Sequence, residues 1–438
     1  MMFRSAGTSA KNTTLARGLT VSLSQRQSSF VGMGSTMAMS TTSTTKTDRF
    51  LVDVHSHMYY PGYMNILRAR KTIPKVVPSR VTAGQERLVI LPNEENNNET
   101  ADIGRPIGSE YFDVGAKLEF MNTHRISHSI VSLANPWLDF LNANAEEVAS
   151  APKLARRLNA DLESLCASEK AASRLYGFGI LPTTAGGVAC AEEVRSHLSQ
   201  LPHLRGVILG TTGVLGRGLD CAAEMDPVYA ELEKSGLVLF IHPHYGLRGE
   251  DMSQYGHSLE LALGFPMETS IAISRLILSG VMDRFPNLKV YVAHAGGVLP
   301  WLQGRLDSCV GYEKEIRLEK APSEYLKDLY YDAIIYNSDC LDLLIKSVGA
   351  DRIMYGTDHP FFPPTGTEKL WKSAVKIQEI IPSQHRDTIY SSAAAKLFGL
   401  QLGQSVDQSG AANSSSSRIG MAVGVKPAQG VKVESSCS

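Results

Sequence analysis

A chain of 438 residues with 43% hydrophobic and 20% charged side chains carries ample apolar mass for a buried core, which excludes whole-chain disorder and a fibrous repeat. Its 43 basic and 44 acidic residues leave a formal net charge of -1, so no strongly basic domain of the kind that binds nucleic acid is present. No uninterrupted apolar run reaches the roughly 18–20 residues that cross a bilayer, and no membrane partner is expected.

The two ends differ in composition from the middle. The first 47 residues hold Arg4, Lys11, Arg17, Arg26 and Lys46 and no acidic residue; the first is Asp48. This composition fits a mitochondrial transit peptide. A disordered extension upstream of another start at Met33, Met37 or Met39 fits as well, so an intracellular protein, cytoplasmic or mitochondrial, is expected. Residues 403–438 are rich in Ser, Gly and Ala and cannot bury enough surface to fold. The expected organisation is an extension over 1–48, a folded domain over 49–402 and a tail over 403–438. Cys166, Cys190, Cys221, Cys309, Cys340 and Cys437 form no CxxC and no regular spacing, which points to reduced, mostly buried thiols.

Within the folded domain, short β-rich runs recur, each bounded by turn chemistry. They are Phe50–His55, Ser127–Ala134, Leu175–Leu181, Gly206–Leu209, Leu237–Ile241, Lys289–Ala293, Tyr330–Ile335 and Arg352–Tyr355. Several are continuously apolar, as parallel strands covered on both faces are. Helical patterns lie between most of them, at Val148–Ala172, Gly187–Ser199, Pro227–Ser235, Pro266–Arg284, Leu299–Val310, Cys340–Ser347 and Trp371–Ile380. The helix at Pro266 has two start signals, the proline itself and Glu268 against the positive helix end. The alternation predicts an α/β fold, a distorted (β/α)8 TIM barrel. A doubly wound open sheet is the alternative, but no GxGxxG follows the first strand. Met58 to Arg125 is too long for an ordinary connection and reads as a lid-like insertion, with Asn96–Asn98 at an exposed loop tip.

In a barrel, chemistry sits at the carboxyl ends of the strands. Strand 1 closes with Asp53-Val54-His55-Ser56-His57, where residues i and i+2 point the same way and can face one ion. Strand 2 ends at Asn135-Pro136-Trp137, strand 5 at His242-Pro243-His244, strand 6 at His294 and strand 8 at Asp358-His359-Pro360. Neutral imidazole with carboxylate suits Zn²⁺, Mn²⁺ or a similar cation. His242 and His244 share the same parity, so the residues alone leave both open as ligands. His124, His128, His197, His203 and His385 have no convergent partners and read as structural.

The order HxH, His, His, Asp along strands 1, 5, 6 and 8 resembles the amidohydrolase superfamily. Binuclear members carry a bridging lysine at the end of strand 4. Here that segment reads Arg205-Gly206-Val207-Ile208-Leu209-Gly210-Thr211, so the resemblance implies a mononuclear site. Its implied ligands are His55, His57, His242 and Asp358, with His294 close by; the family motif favours His242 over His244. Gly264-Phe265-Pro266-Met267-Glu268-Thr269, Ala293-His294-Ala295-Gly296-Gly297 and Tyr355-Gly356-Thr357-Asp358-His359-Pro360-Phe361 resemble the aminocarboxymuconate-semialdehyde-decarboxylase-like branch. Met58-Tyr59, Thr72-Ile73-Pro74, Gly104-Arg105-Pro106 and Phe361-Phe362-Pro363-Pro364 are similar, within it, to the fungal isoorotate (uracil-5-carboxylate) decarboxylases of thymine salvage. The likeness spans roughly Phe50–Leu400 and is weakest over Pro74–Gly104.

This resemblance implies a metal-dependent decarboxylase of pyrimidine metabolism with one divalent ion, Zn²⁺ foremost, and no flavin, nicotinamide or PLP. It implies Arg105 on the substrate carboxylate, Asn135 on the ring and Phe361 packed against it. Asp358 becomes the proton donor, with a raised pKa, and His294 orients or shuttles the proton. By composition alone Arg105 reads as an exposed loop arginine. A homo-oligomer, dimer or tetramer, is the expected assembly. The rivals are decarboxylation of aminocarboxymuconate semialdehyde or a hydroxybenzoate, a mononuclear metal-dependent hydrolase, and a non-catalytic binding protein on a decayed barrel.

Overall fold

The computed structural model describes residues 50–90, 94–95, 100–247, 252, 255, 257–364 and 367–402. The N-terminal extension, the Asn96–Asn98 tip and the C-terminal tail lie outside the described residues.

All eight expected strands form. They are β1 (Val52–His57), β5 (His128–Ser132), β6 (Leu175–Gly179), β7 (Leu204–Gly210), β8 (Val238–His242), β9 (Val290–Val292), β10 (Tyr330–Asp332) and β11 (Ile353–Met354). They pair in parallel in the order β1-β5-β6-β7-β8-β9-β10-β11. Backbone bonds from Val54 N–H to Tyr355 O (3.0 Å) and His57 N–H to His359 O (2.7 Å) bring the last strand back to the first. This is a TIM barrel. Its continuously apolar strands are buried on both faces because helices cover the outside and side chains fill the inside. Phe178, Phe240 and Tyr291 stack within it, Phe240 on Tyr291 at 4.2 Å, and Phe240 meets the ring of His55 at 5.0 Å. The ring of His55 therefore rests on a buried aromatic floor.

The insertion after β1 contains structure that the sequence pattern did not reveal. A helix (Pro61–Ala69) leads into an antiparallel sheet of β2 (Lys75–Pro78), β3 (Glu86–Val89) and β4 (Arg105–Ile107). These strands are three or four residues long, too short to show alternation, and Pro78 and Pro106 lie on the two edge strands, where a missing N–H is tolerated. A second helix (Val114–Thr123) then packs beside the barrel, its start capped by the Asp113 side chain accepting from Ala116 N–H at 2.9 Å.

Three further expectations are corrected. The helix read as Pro266–Arg284 is two, Phe265–Leu278 and Val281–Arg284, divided where Gly280 takes φ 72°. It is also entered through a π-turn at Glu260–Gly264, so Pro266 lies inside a longer helical run. That run, Glu260–Leu278, is long and apolar enough by composition to cross a membrane, with mean hydropathy 1.4, although no uninterrupted apolar stretch announces it. It lays Ala272, Ile273, Leu276 and Ile277 against the barrel. Of the five described cysteines all are free, but only Cys166 and Cys190 are buried; Cys309 and Cys340 are exposed.

Candidate metal centre

His55 and His57 leave β1 on the same side, His242 ends β8, and Asp358 follows β11 in a left-handed conformation, φ 60°. Such a backbone is uncommon outside glycine, though aspartate tolerates it, and here the carboxylate meets His55 and His57. The ligand atoms of His55, His57, His242 and Asp358 all lie within 4.8 Å of one another, and all four residues are buried.

The opposite nitrogen of each imidazole fixes its orientation. His55 Nδ1 lies 2.8 Å from Asp332 Oδ2, and a carboxylate can only accept, so His55 Nε2 presents a lone pair. His242 Nδ1 donates in the same way to Pro243 O at 2.8 Å. His57 Nδ1 meets Ser132 Oγ at 3.0 Å, while that hydroxyl has Ser56 O as its own acceptor at 3.3 Å. Three Nε2 lone pairs therefore converge with one carboxylate. His55 Nε2 and His57 Nε2 are 3.1 Å apart, and Asp358 Oδ1 lies 3.5 Å and 3.2 Å from them. His242 Nε2 is buried without any hydrogen-bond partner. Lone pairs held this close repel unless a cation stands among them, and three neutral imidazoles with a carboxylate are a donor set for one borderline divalent ion.

Electrostatics agree with neutral imidazoles at His57 and His242. Burial pushes the His57 imidazole down to about 4, and burial with the neighbouring histidines holds His242 well below its ordinary range, so both stay neutral. His55 moves the other way: burial lowers it, but the Asp332 hydrogen bond and charge raise it further. Asp358 corrects an expectation. Burial works to raise its carboxyl, yet the neighbouring imidazoles of His294, His57 and His55 together hold it well below the usual carboxylate range.

His294 stands at the rim, its Nε2 3.7 Å from Asp358 Oδ2 and its backbone also left-handed at φ 54°. His244 is turned elsewhere, to Asp139 (2.8 Å) and Thr212 (2.9 Å), which separates it from the ligand set. His359 likewise faces Phe120 and Trp371. Opposite the ligands, β7 places Gly210 in register with His242. A Cβ there would lie 2.7 Å from His244 Nδ1 and 2.8 Å from the Trp137 ring, so a side chain at Gly210 would have to displace both.

The three residues expected to hold substrate are spread along the mouth. Phe361 sits edge-on to His57 at 5.5 Å, and Tyr111 meets Phe361 at 6.0 Å. Asn135 is reached through Tyr59, whose hydroxyl donates to Asn135 O at 2.8 Å, and its own amide donates to His244 O. Arg105 stands apart on β4, bound to Glu94 at 2.5 Å. Burial pushes the nearby Tyr111 phenol up to about 12, with Glu110 adding to that shift and the Arg105 charge pulling against it.

Asp332 is the residue the sequence reading missed. Fully buried at the end of β10, it accepts from His55 Nδ1, from Tyr291 Oη (3.2 Å) and from the backbone N–H of His294, Ala295 and Ile334, each at 3.0 Å. It thus orients one ligand and the His294 turn together. Its one local mark is a lone acid closing an apolar strand, which does not separate it from an ordinary strand-end acid, and it belongs to no spaced motif.

Residues 52–400 match the amidohydrolase family model, and the chain belongs to that family. The relatives narrow it to a branch of decarboxylases. The chain is 28% identical over 264 residues to 2-amino-3-carboxymuconate-6-semialdehyde decarboxylase of Dictyostelium discoideum, covering 59% of this chain and 69% of the relative. It is 28% identical over 306 residues to gamma-resorcylate decarboxylase of Rhodococcus jostii, covering 65% and 87%. Among solved structures it is similar to the apo IDCase of Metarhizium anisopliae, with TM-score 0.74 and 38% identity over 80% of this chain and 97% of that one. The protein is a carboxy-lyase of this branch.

Proposed function

We propose that the protein removes CO₂ from uracil-5-carboxylate (isoorotate) to give uracil, using a single Zn²⁺. The observation that carries the reading is the likeness to the Metarhizium IDCase, at 38% identity, joined to a donor set that fits one ion. His55, His57, His242 and Asp358 would hold the metal, which when bound supplies an electrophile to anchor an anionic substrate.

The remaining work falls to the chain itself. Arg105 would leave Glu94 to take the substrate carboxylate, Asn135 would bond the ring, and Phe361 would cover its face. Breaking the C5–CO₂ bond leaves an electron pair on C5 that a proton must satisfy. Asp358 is the carboxyl at hand. In the free site its carboxyl is held well below the usual range, so it can donate only after taking up a proton with the substrate anion bound. His294, with Nε2 3.7 Å from Asp358 Oδ2, would be the neighbouring group along the route of that proton.

The test is incubation of metal-replete protein with uracil-5-carboxylate, following uracil, beside 2-amino-3-carboxymuconate 6-semialdehyde and a hydroxybenzoate. Release of uracil at the highest kcat/KM supports the reading; preference for another acid replaces the substrate, and two metal equivalents per chain overturns the mononuclear site. We also propose a homo-oligomer, supported by helix Leu299–Val310, in which Leu299 is the one buried residue while Trp301 is 79% exposed. A second copy of the chain would cover that face, and Trp301→Glu should then sediment as a monomer.

A further inference from the structure

Lys117 is 1% exposed, a burial that lysine rarely meets without a partner. It points from helix Val114–Thr123 to the loop between β11 and the rim, within the stretch Met58–Arg125 whose sequence reads only as an insertion. Its Nζ lies 3.4 Å from His359 Nδ1. An ammonium cannot accept, so the bond runs from Lys117 to a lone pair on His359 Nδ1. His359 is itself enclosed, its ring 3.8 Å from that of Phe120 and 5.0 Å from that of Trp371. Its carbonyl receives His57 N–H at 2.7 Å.

On the other side of the same loop stands Asp53, also fully buried. Its Oδ1 accepts from Thr357 N–H (3.1 Å) and His55 N–H (3.3 Å), and its Oδ2 accepts from Thr357 Oγ1 (2.7 Å). Thr357 Oγ1 in turn receives His359 N–H at 3.2 Å. The residues flanking Asp358 are thus gripped by two buried ionisable side chains, Asp53 on Thr357 and Lys117 on His359, while Asp358 between them keeps a left-handed backbone, which aspartate tolerates better than most residues but does not by itself enforce.

We infer that Lys117 is a positioning residue for the metal centre: by holding His359 it fixes the turn that aims the Asp358 carboxylate at the three imidazoles. This rests on the assignment of the metal ligands but on no particular substrate. Lys117 touches none of the ligands, and its effect passes through the backbone of His359. Loss of a partner bonded directly to a ligand weakens metal affinity or activity by about 10- to 100-fold, and Lys117, one residue further out, is expected at the low end of that scale.

The probe is the metal alone. Lys117→Met keeps the length and apolar stem but removes the donor and charge. In chelator competition with Zn²⁺ its dissociation constant should rise at least tenfold, and the Co²⁺-substituted protein should show an altered visible spectrum, since that spectrum reports ligand placement. Should Lys117→Met fail to fold, His359→Phe reads the same bond while keeping a flat ring between Phe120 and Trp371, and the same tenfold loss is expected. A Zn²⁺ affinity within twofold of wild type with an unchanged Co²⁺ spectrum, in either variant once folded, overturns the inference. Weak Zn²⁺ binding by the unaltered protein would instead count against the ligand assignment itself.

Discussion

The strand-end cluster and the inserted sheet hold their functional side chains in opposite ways. At the strand ends each imidazole is locked through its second nitrogen, to Asp332, Ser132 or Pro243, and the ligands are buried. On the inserted sheet, Arg105 is 29% exposed and tied to one acidic partner, Glu94, on a strand of three residues. The first arrangement is finished before any ligand arrives, whereas the second must exchange a partner to act. Metal capture is therefore a property of the barrel, and substrate recognition a property of an edge that can rearrange.

The sharpest way to break this contrast is at Asp358, where the rigid centre meets the chemistry. Asp358→Asn can still offer an oxygen to the ion but has no proton to give. Turnover per bound metal should fall below a few per cent of wild type, and in D₂O the variant should place no deuterium at the carbon that loses CO₂ at a measurable rate. Retained turnover with normal deuterium incorporation would give the proton to another group.

The next effect belongs to the edge. Arg105→Ala should lower kcat/KM by about 2–4 kcal/mol, the scale of a broken buried charge pair, or about 30- to 900-fold. The loss should be specific to the substrate carboxylate and leave Zn²⁺ affinity unchanged, in contrast with the strand-end variants. A change within threefold would return Arg105 to the role of a rim residue bound to Glu94.

These two regions also differed in how readily they could be read. The barrel strands stand out because burial on both faces demands continuous apolar runs, and His55, His57, His242 and Asp358 stand out because polar groups rarely close such runs. The His242 and His244 ambiguity was physical: both follow the strand with the same parity, and only the partners of His244, Asp139 and Thr212, turn it away. β2, β3 and β4 were illegible because three or four residues cannot display a period. Asp332 and Lys117 were illegible for another reason. Their roles depend on contacts 277 and 242 residues away in sequence, and nothing local distinguishes them from an ordinary strand-end acid or surface lysine.

Asp332 lets the pre-formed half of the comparison be tested without touching a ligand. Asp332→Asn keeps the shape but cannot accept at both oxygens, so His55 loses a charged acceptor and either His294 or Ala295 loses its backbone anchor. Zn²⁺ affinity should fall by about 10- to 100-fold, as expected for a carboxylate behind a metal-bound histidine. Competition with a chelator measures it, and an affinity within twofold of wild type would mean that burial alone orients His55.

The smallest expected effect is at Glu94, and it bears on the other half. If Arg105 must leave Glu94 to reach a substrate carboxylate, the pair acts as an internal competitor. Glu94→Gln keeps an oxygen for the Ile90 N–H, which Glu94 Oε2 now receives at 2.7 Å, but lowers the attraction for the guanidinium. Because Arg105 is partly solvated, the competing pair is worth only about 0–1 kcal/mol, which corresponds to a KM lower by up to about fivefold. Since the ion pair is broken before the chemical step, kcat should not change. Added salt screens the same pair in the wild type, so the KM difference between the two proteins should shrink as ionic strength rises. A KM that rises instead, at every salt concentration, would mean that Glu94 aims the guanidinium toward the mouth, and the inserted sheet would then be as pre-formed as the barrel.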